Sequence, residues 1–196
     1  MGRVSVVNFV SLDGVVQSPL SQDEDRDGGF AHGGWVAPYS DEVVEQVMRD
    51  VTVSAAGMLL GRRSYEILRR AWADADETEP AVAAMNRMPK YVVSSSSENL
   101  RWSNSHRVEG DLGAAVLELK EGLDGDIVVF GSALLVHGLA ARDLVDDYRL
   151  LLFPVVLGGG KRLFDDDAAL ARFRLVDTVV SPSGVAIHSF RRDPDT

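Results

Sequence analysis

Three places in the sequence combine residue types that hold anions. Gly131-Ser132 stands between a short apolar, β-branched run, Ile127 to Phe130, and a helix-forming segment, Ala133 to Ala141. A strand that hands over to a helix there leaves the free N–H groups of the first helical turn, and the positive end of the helix dipole, facing whatever lies beyond the strand. Gly131, Ser132, Ala133 and Leu134 are therefore a candidate phosphate seat. Gly61 closes a second apolar run, Met58 to Leu60, and Arg62-Arg63-Ser64 opens the next helix. Two cations in a first turn oppose the dipole, so they either fan into solvent or hold an anion between them. A third run, Tyr91 to Val93, stops at four serines beginning Ser94, Ser95, Ser96. These make a plain loop, or a strand exit that offers hydroxyls to a ligand.

Three carboxylates are candidates for moving a proton. Asp13 sits in Ser11-Leu12-Asp13-Gly14, where its alternative is a plain turn aspartate. Asp41 and Glu45 lie at the start of a helix opened by Ser40, where the alternative is a pair of solvated acids. On the helical wheel Glu45 points away from the stripe Val43, Val44, Val47, Met48, Val51, whereas Asp41 lies nearer its border. Trp35, flanked by Gly33-Gly34 and Pro38, either walls a pocket or pins the polar stretch from Gln17 to Gly34. That stretch gathers Asp23, Glu24, Asp25 and Asp27; a loop so long is functional or mobile, and a solvated acidic surface is the plainer alternative. Gly158-Gly159-Gly160 reads as a tight strand-exit turn lining the pocket. The four histidines, His32, His106, His137 and His188, have no metal-ligand spacing, so no metal is expected.

The elements that must position these residues alternate. Strand-like runs at Arg3 to Val10, Met58 to Leu60, Tyr91 to Val93 and Ile127 to Phe130 are separated by helical patterns, with a brief strand and turn at Val108 to Asp111. One helical turn is expected near Ala81 to Met85. Late in the chain the strands become consecutive: Tyr148 to Leu157, then Phe173 to Val180 and Gly184 to Phe190 around Ser181-Pro182-Ser183, with Arg191 to Thr196 fraying. This order predicts an α/β fold, a central, mainly parallel twisted sheet with flanking helices and an antiparallel C-terminal hairpin. At 196 residues and 45% hydrophobic content, residues 1–196 form a single expected domain. The net charge of −10 argues against nucleic acid as a partner. The chain has no cysteine, no apolar run of membrane-spanning length and no signal-peptide pattern at its start, so a cytoplasmic location is expected.

The motifs SLDG (Ser11 to Gly14), LLGRRSYE (Leu59 to Glu66), PKYVVSSS (Pro89 to Ser96), VVFGSALL (Val128 to Leu135) and FPVVLGGGKRLF (Phe153 to Phe164) occur in an order that resembles the dihydrofolate reductase superfamily. Within it, the chain is most similar to the reductase domain of bifunctional riboflavin-biosynthesis proteins and their stand-alone bacterial relatives. The resemblance covers nearly the whole chain. It implies NADPH as cofactor, with Gly61, Arg62, Arg63 and Ser64 at its phosphates and Ser94, Ser95 and Ser96 near the adenosine ribose phosphate. Gly131, Ser132, Ala133 and Leu134 would hold the pyrophosphate; Ser132 stands where the family usually has a second glycine. The substrate side would include Trp35, Phe153, Gly158 and Gly159, with Asp13, Asp41 or Glu45 as the acid. The implied activity is reduction of a pterin-like or aminopyrimidine-like small molecule by a homodimer. The rival expectation is a dimeric NADP-binding regulatory protein without turnover.

Overall fold

The middle of the sheet is laid down by β1 (Arg3–Ser11) and β5 (Asp126–Phe130), which pair in parallel from Arg3 opposite Asp126 to Val7 opposite Phe130. Their apolar runs are buried on both faces, which is why they lack the polar alternation of a half-exposed strand. Ile127 and Val129 face one core; Val128 and Phe130 face the other. The computed structural model describes residues 1–166 and 168–193.

In chain order the remaining elements are α1 (Glu42–Ser54), β2 (Gly57–Gly61), α2 (Arg62–Trp72), α3 (Pro80–Arg87), β3 (Lys90–Val93), β4 (Ser105–Val108), α4 (Leu112–Gly122), α5 (Ala133–Ala140), β6 (Asp147–Phe153), β7 (Phe173–Val180) and β8 (Ala186–Arg192). The strands form one sheet in the order β4-β3-β2-β5-β1-β6-β8-β7. All pairs from β4 through β6 are parallel, and β8 and β7 close the edge antiparallel. Helices α1, α2 and α3 cover one face through Val44, Val51, Tyr65 and Met85. Helices α4 and α5 cover the other through Val116, Leu135, Val136 and Leu139. The fold class read from the sequence is the observed one.

Several boundaries differ from expectation, each for a local reason. Strand β6 ends at Phe153 and not Leu157, because Pro154 has no N–H for the ladder and Val155 N turns back to Phe153 O at 2.8 Å. Helix α1 is capped by Asp41, whose Oδ1 accepts from Val44 N at 3.0 Å, while Ser40 Oγ donates to Glu45 Oε1. The single turn expected near Ala81 is an eight-residue helix that starts on Pro80, at a position where a missing N–H costs nothing. The brief strand and turn expected at Val108 to Asp111 is mostly turn: β4 begins earlier, at Ser105, and ends at Val108, since Gly110 has a positive φ and Asp111 caps α4. Arg191 and Arg192 do not fray: Arg191 pairs in register with Asp147, and its Nε donates to the Asp147 carboxylate at 2.9 Å. Residues 194–196, also expected to fray, lie outside the described residues.

Candidate functional site

The parallel strands β1, β2 and β5 all end on the same side, and a cleft of about 900 Å³ opens at those ends. Its two halves have different walls.

One half is made by helix N-termini. Because β2 and β5 are neighbours, the helices that follow them, α2 and α5, start side by side. Gly61, Arg62, Arg63 and Ser64 line the cleft from the first; Gly131, Ser132, Ala133 and Leu134 line it from the second. The turn out of β5 takes two consecutive left-handed residues, Gly131 at φ 61° and Ser132 at φ 56°. Glycine adopts that conformation freely; a serine there is uncommon. Here its hydroxyl is used, because Ser132 Oγ accepts from Gly61 N at 3.1 Å and ties the two strand exits together. The N–H groups that begin α5 remain directed past the strand, and such a donor set suits a phosphate.

The two arginines do not simply fan into solvent. They diverge onto separate carboxylates. Arg62 reaches Glu66 at 2.9 Å and Glu98 at 3.1 Å, toward the exit of β3. Arg63 reaches Asp25 at 2.9 Å and Asp27 at 2.8 Å, in the polar loop after β1. Ser94, Ser95 and Ser96 lie beyond β3 and do not line the cleft; Ser96 N donates to Ser94 Oγ at 3.0 Å, and Arg107 donates to the carbonyls of Ser96 and Glu98. Arg62 joins this turn to the cleft through its bond to Glu98 O at 3.1 Å.

The other half is apolar, between Phe9 of β1, Phe153 of β6, and Val44 and Met48 of α1. Of the three candidate acids, only Glu45 lines it. Asp13 is consumed by its own turn: it accepts from Ser11 Oγ at 2.7 Å, Leu157 N at 3.1 Å and Gly158 N at 2.8 Å. The Ser11 hydroxyl foremost, with those two N–H groups, draws its pKa down to about 2, so it stays ionised at neutral pH. Asp41 caps α1 and also accepts from Ser183 N at 2.9 Å, which holds it well below the usual carboxylate range. Trp35 is buried off the cleft, donating from Nε1 to Gln17 O at 2.8 Å and meeting Phe153 edge-on at 5.4 Å between centroids. It pins the loop. Gly158 and Gly159 are exposed and outside the lining, because the turn that carries them is drawn toward Asp13. Of the three glycines, Gly160 is the one a side chain would crowd, with an added Cβ 2.8 Å from Val15 and 2.9 Å from Phe30.

Sequence reasoning singled out neither Lys161 nor Asn8, and left Glu24, Asp25 and Asp27 as a cluster without a place. All five line the cleft. Burial raises the Glu24 pKa, against the N–H groups of Leu20 and Ser21 that it accepts at 2.8 and 3.3 Å. Asn8 is a polar residue in a run of valines on a central strand, and its side chain reaches Gly131 O at 3.4 Å. That misfit of type and place was the available signal. Among the described residues no helix is long and apolar enough to cross a membrane, and no group of three or more His, Asp or Glu could hold a metal ion.

The chain is 29% identical over 134 residues to the uncharacterized Bacillus subtilis (strain 168) protein YyaP, covering 65% of this chain and 69% of YyaP. Among solved structures, it shares its fold with a diaminohydroxyphosphoribosylaminopyrimidine deaminase/5-amino-6-(5-phosphoribosylamino)uracil reductase from Thermotoga maritima, at a TM-score of 0.65 and 13% identity, over 98% of this chain and 57% of that one. It shares it also with the dihydrofolate reductase of Enterococcus faecalis complexed with NADP(H), at a TM-score of 0.63 and 12% identity, over 97% and 96% of the two chains. The family model for the RibD C-terminal domain matches residues 3–187, so the chain belongs to the RibD C-terminal domain family.

Proposed function

We propose that this protein is an NADPH-dependent reductase of a small heterocycle of the pterin or aminopyrimidine kind. The observation that carries the reading is the joining of two unlike half-clefts: paired helix N-termini at adjacent strand exits open directly into an apolar chamber under β1 and α1. A dinucleotide needs both, a donor-rich seat for its phosphates and a dry place for its ring. The residues fit the cofactor. Gly131 to Leu134 offer N–H groups and a left-handed turn, and Gly61 to Ser64 offer a second N-terminus with two guanidinium groups close by.

Bound NADPH would supply the hydride. The chain's part is to hold the two rings together, exclude water and supply a proton. Glu45 is the acid proposed for that proton, since Asp13 and Asp41 are held ionised by their own turns. The heterocyclic substrate class follows from the activities named for the two solved relatives. A screen of pterins, aminopyrimidines and simple carbonyl compounds, read by loss of nicotinamide absorbance, tests this. Turnover of a heterocycle is expected; turnover of carbonyls alone refutes the substrate class.

One observation favours the rival reading, a dimeric NADP-binding regulator without turnover: two of three candidate acids are committed to structure. Tight NADPH binding with no oxidation across the screen would decide for it. Both readings take the protein as a homodimer. Strand β7 is an edge strand with Leu175, Val176, Val179 and Val180 exposed, and a bare apolar edge invites pairing. Light scattering should give twice the chain mass at micromolar concentration, and a monomer mass would refute the dimer.

A further inference from the structure

The loop after β1 runs over the mouth of the cleft, and its carboxylates occupy the cations there. Asp25 and Asp27 each contact both Arg63 and Lys161. Arg63 lies 2.9 and 2.8 Å from them, and Lys161 lies 2.7 and 3.0 Å from them. All four residues line the cleft. They come from three separate parts of the chain: the loop, the first turn of α2, and the segment after the glycine triplet. Gln17 fixes the same stretch, donating to the carbonyls of Asp25 and Asp27 at 3.0 Å each and accepting from Lys161 N at 2.9 Å.

We infer that the segment Asp25 to Asp27 is an internal counter-anion, a strap that fills the cationic end of the cleft until a diphosphate displaces it. Two cations and two carboxylates sum to zero. The mouth therefore presents no net positive charge to an arriving anion while the strap is down, in a chain whose total charge is −10. Both guanidinium and ammonium can bond phosphate oxygens in place of carboxylate oxygens, so a diphosphate offers the same contacts with more charge. The strap also has a built-in hinge. Gly28 and Gly29, directly after Asp27, sit at φ 65° and 76°, and an added Cβ on either would meet nothing within 4 Å. The next residue, Phe30, lies against Gly160 and docks the base of the loop, so lifting the acidic stretch means opening the bonds of Gln17 and Ser18 to Asp25 and Asp27.

The proposal rests on the reading of the cleft as a dinucleotide site, and it predicts that the strap sets the affinity for NADPH and NADH alike, because both carry the diphosphate. When a protein is mostly in a form that cannot bind, apparent affinity falls by the competent fraction. With the strap down in about nine molecules of ten, its removal would tighten binding about tenfold.

The test uses calorimetric titration of NADPH, NADH and inorganic pyrophosphate into the wild-type protein and into Asp25→Asn/Asp27→Asn. The double variant should bind all three about tenfold tighter. Asp23→Asn removes one negative charge from the neighbouring residues, at a carboxylate paired with Arg26, and it should bind as the wild type does. In the wild type, pyrophosphate or NADPH should speed amide hydrogen exchange over residues 23–29, a measurement that stands even where the double variant folds poorly. Unchanged or weaker binding by the double variant, tightening by Asp23→Asn to the same extent, or protection of residues 23–29 on ligand binding would each overturn the strap. Wild-type binding of NADPH with any of those results leaves the dinucleotide reading intact; failure of both proteins to bind any of the three overturns both.

Discussion

In the half of the cleft proposed for the phosphates the seat is largely backbone: N–H groups at two helix starts, set by a turn at Gly131-Ser132, with Arg63 and Lys161 at its edge. In the ring half the groups that face a ligand are side chains, Phe9, Glu45 and Phe153, brought together from three elements far apart in the chain. The first kind of site depends on where strands end and helices begin. The second depends on the identity of each residue. Side-chain changes should therefore act weakly in the phosphate half, except where they alter charge or force the turn, and strongly in the ring half.

The largest effect expected is at Glu45. A general acid contributes about 10²- to 10⁴-fold to rate, so Glu45→Gln should lower kcat about 100-fold with NADPH affinity unchanged. Asp13→Asn should do the reverse. It removes the carboxylate that holds Leu157 N and Gly158 N, so the melting temperature falls while kcat per folded molecule stays within about twofold. Full turnover by Glu45→Gln, or a large loss in Asp13→Asn at full folding, would erase the contrast drawn between the two acids.

That contrast also marks how far the sequence could be read. The strand exits and helix starts around the cleft were legible because they leave local signatures: apolar runs broken by Gly61 and Gly131, each followed by helix formers. The ring half was not, because nothing local tells a cleft-facing acid from one that holds a turn. The helical wheel favoured Asp41 over Glu45, since it registers only the buried stripe of α1; Glu45 lines an opening beside that stripe, whereas Asp41 is the cap. The role of Asp25 and Asp27 was out of reach for a similar reason. Their partner Lys161 lies more than 130 residues away, as the separation of 136 to Asp25 shows, and local pattern carries no information over that distance.

The next effect in size tests the divergence of the two arginines. Arg62 points to the serine turn and Arg63 to the strap, so their roles should separate. Arg62→Ala should weaken NADPH at least about tenfold and NADH little, as one charge-assisted contact to the ribose phosphate of about 1.5–3 kcal/mol would require. Arg63→Ala should weaken both cofactors by a similar factor. Titration of both cofactors into each variant decides; equal losses in Arg62→Ala would remove it from the ribose phosphate.

A comparable free energy is expected in the support beneath the phosphate half. Lys90 starts β3 fully buried, with Nζ donating to Asn86 O at 2.8 Å and Ser103 O at 3.0 Å, and lies 4.7 Å from the Trp102 ring. Burial draws its pKa down from 10.5 to about 8. Between those values the unfolded chain binds more protons than the folded one, so stability must rise with pH across the window. From about pH 8 to 9.5 the gain should be about 1–2 kcal/mol. Burial of Tyr148 raises its pKa from 10 to about 12, which makes stability fall above about pH 10, so the rise belongs to the lower window. Urea unfolding at pH 8 and 9.5 should show the rise in the wild type and none in Lys90→Met.

The smallest effect belongs to Ser132→Gly, and it bears most directly on a site made of backbone. Ser132 holds φ 56° and ψ 49°, a conformation that costs an L-residue about 1–2 kcal/mol and a glycine almost nothing. Its hydroxyl returns part of that through the bond to Gly61 N, about 0.5–1.5 kcal/mol. Ser132→Gly loses the bond and gains the relief, so the two nearly cancel, and NADPH affinity should stay within about threefold. Ser132→Val keeps neither: it has no hydroxyl, and a β-branched residue resists the left-handed turn more than serine does. Its affinity should fall more than about tenfold, since the turn that aims the first N–H groups of α5 is what it distorts. Fluorescence titration of NADPH against both variants separates the possibilities. A loss in Ser132→Gly as large as that in Ser132→Val would mean that the hydroxyl itself bonds the phosphate, and the seat would then be part side chain.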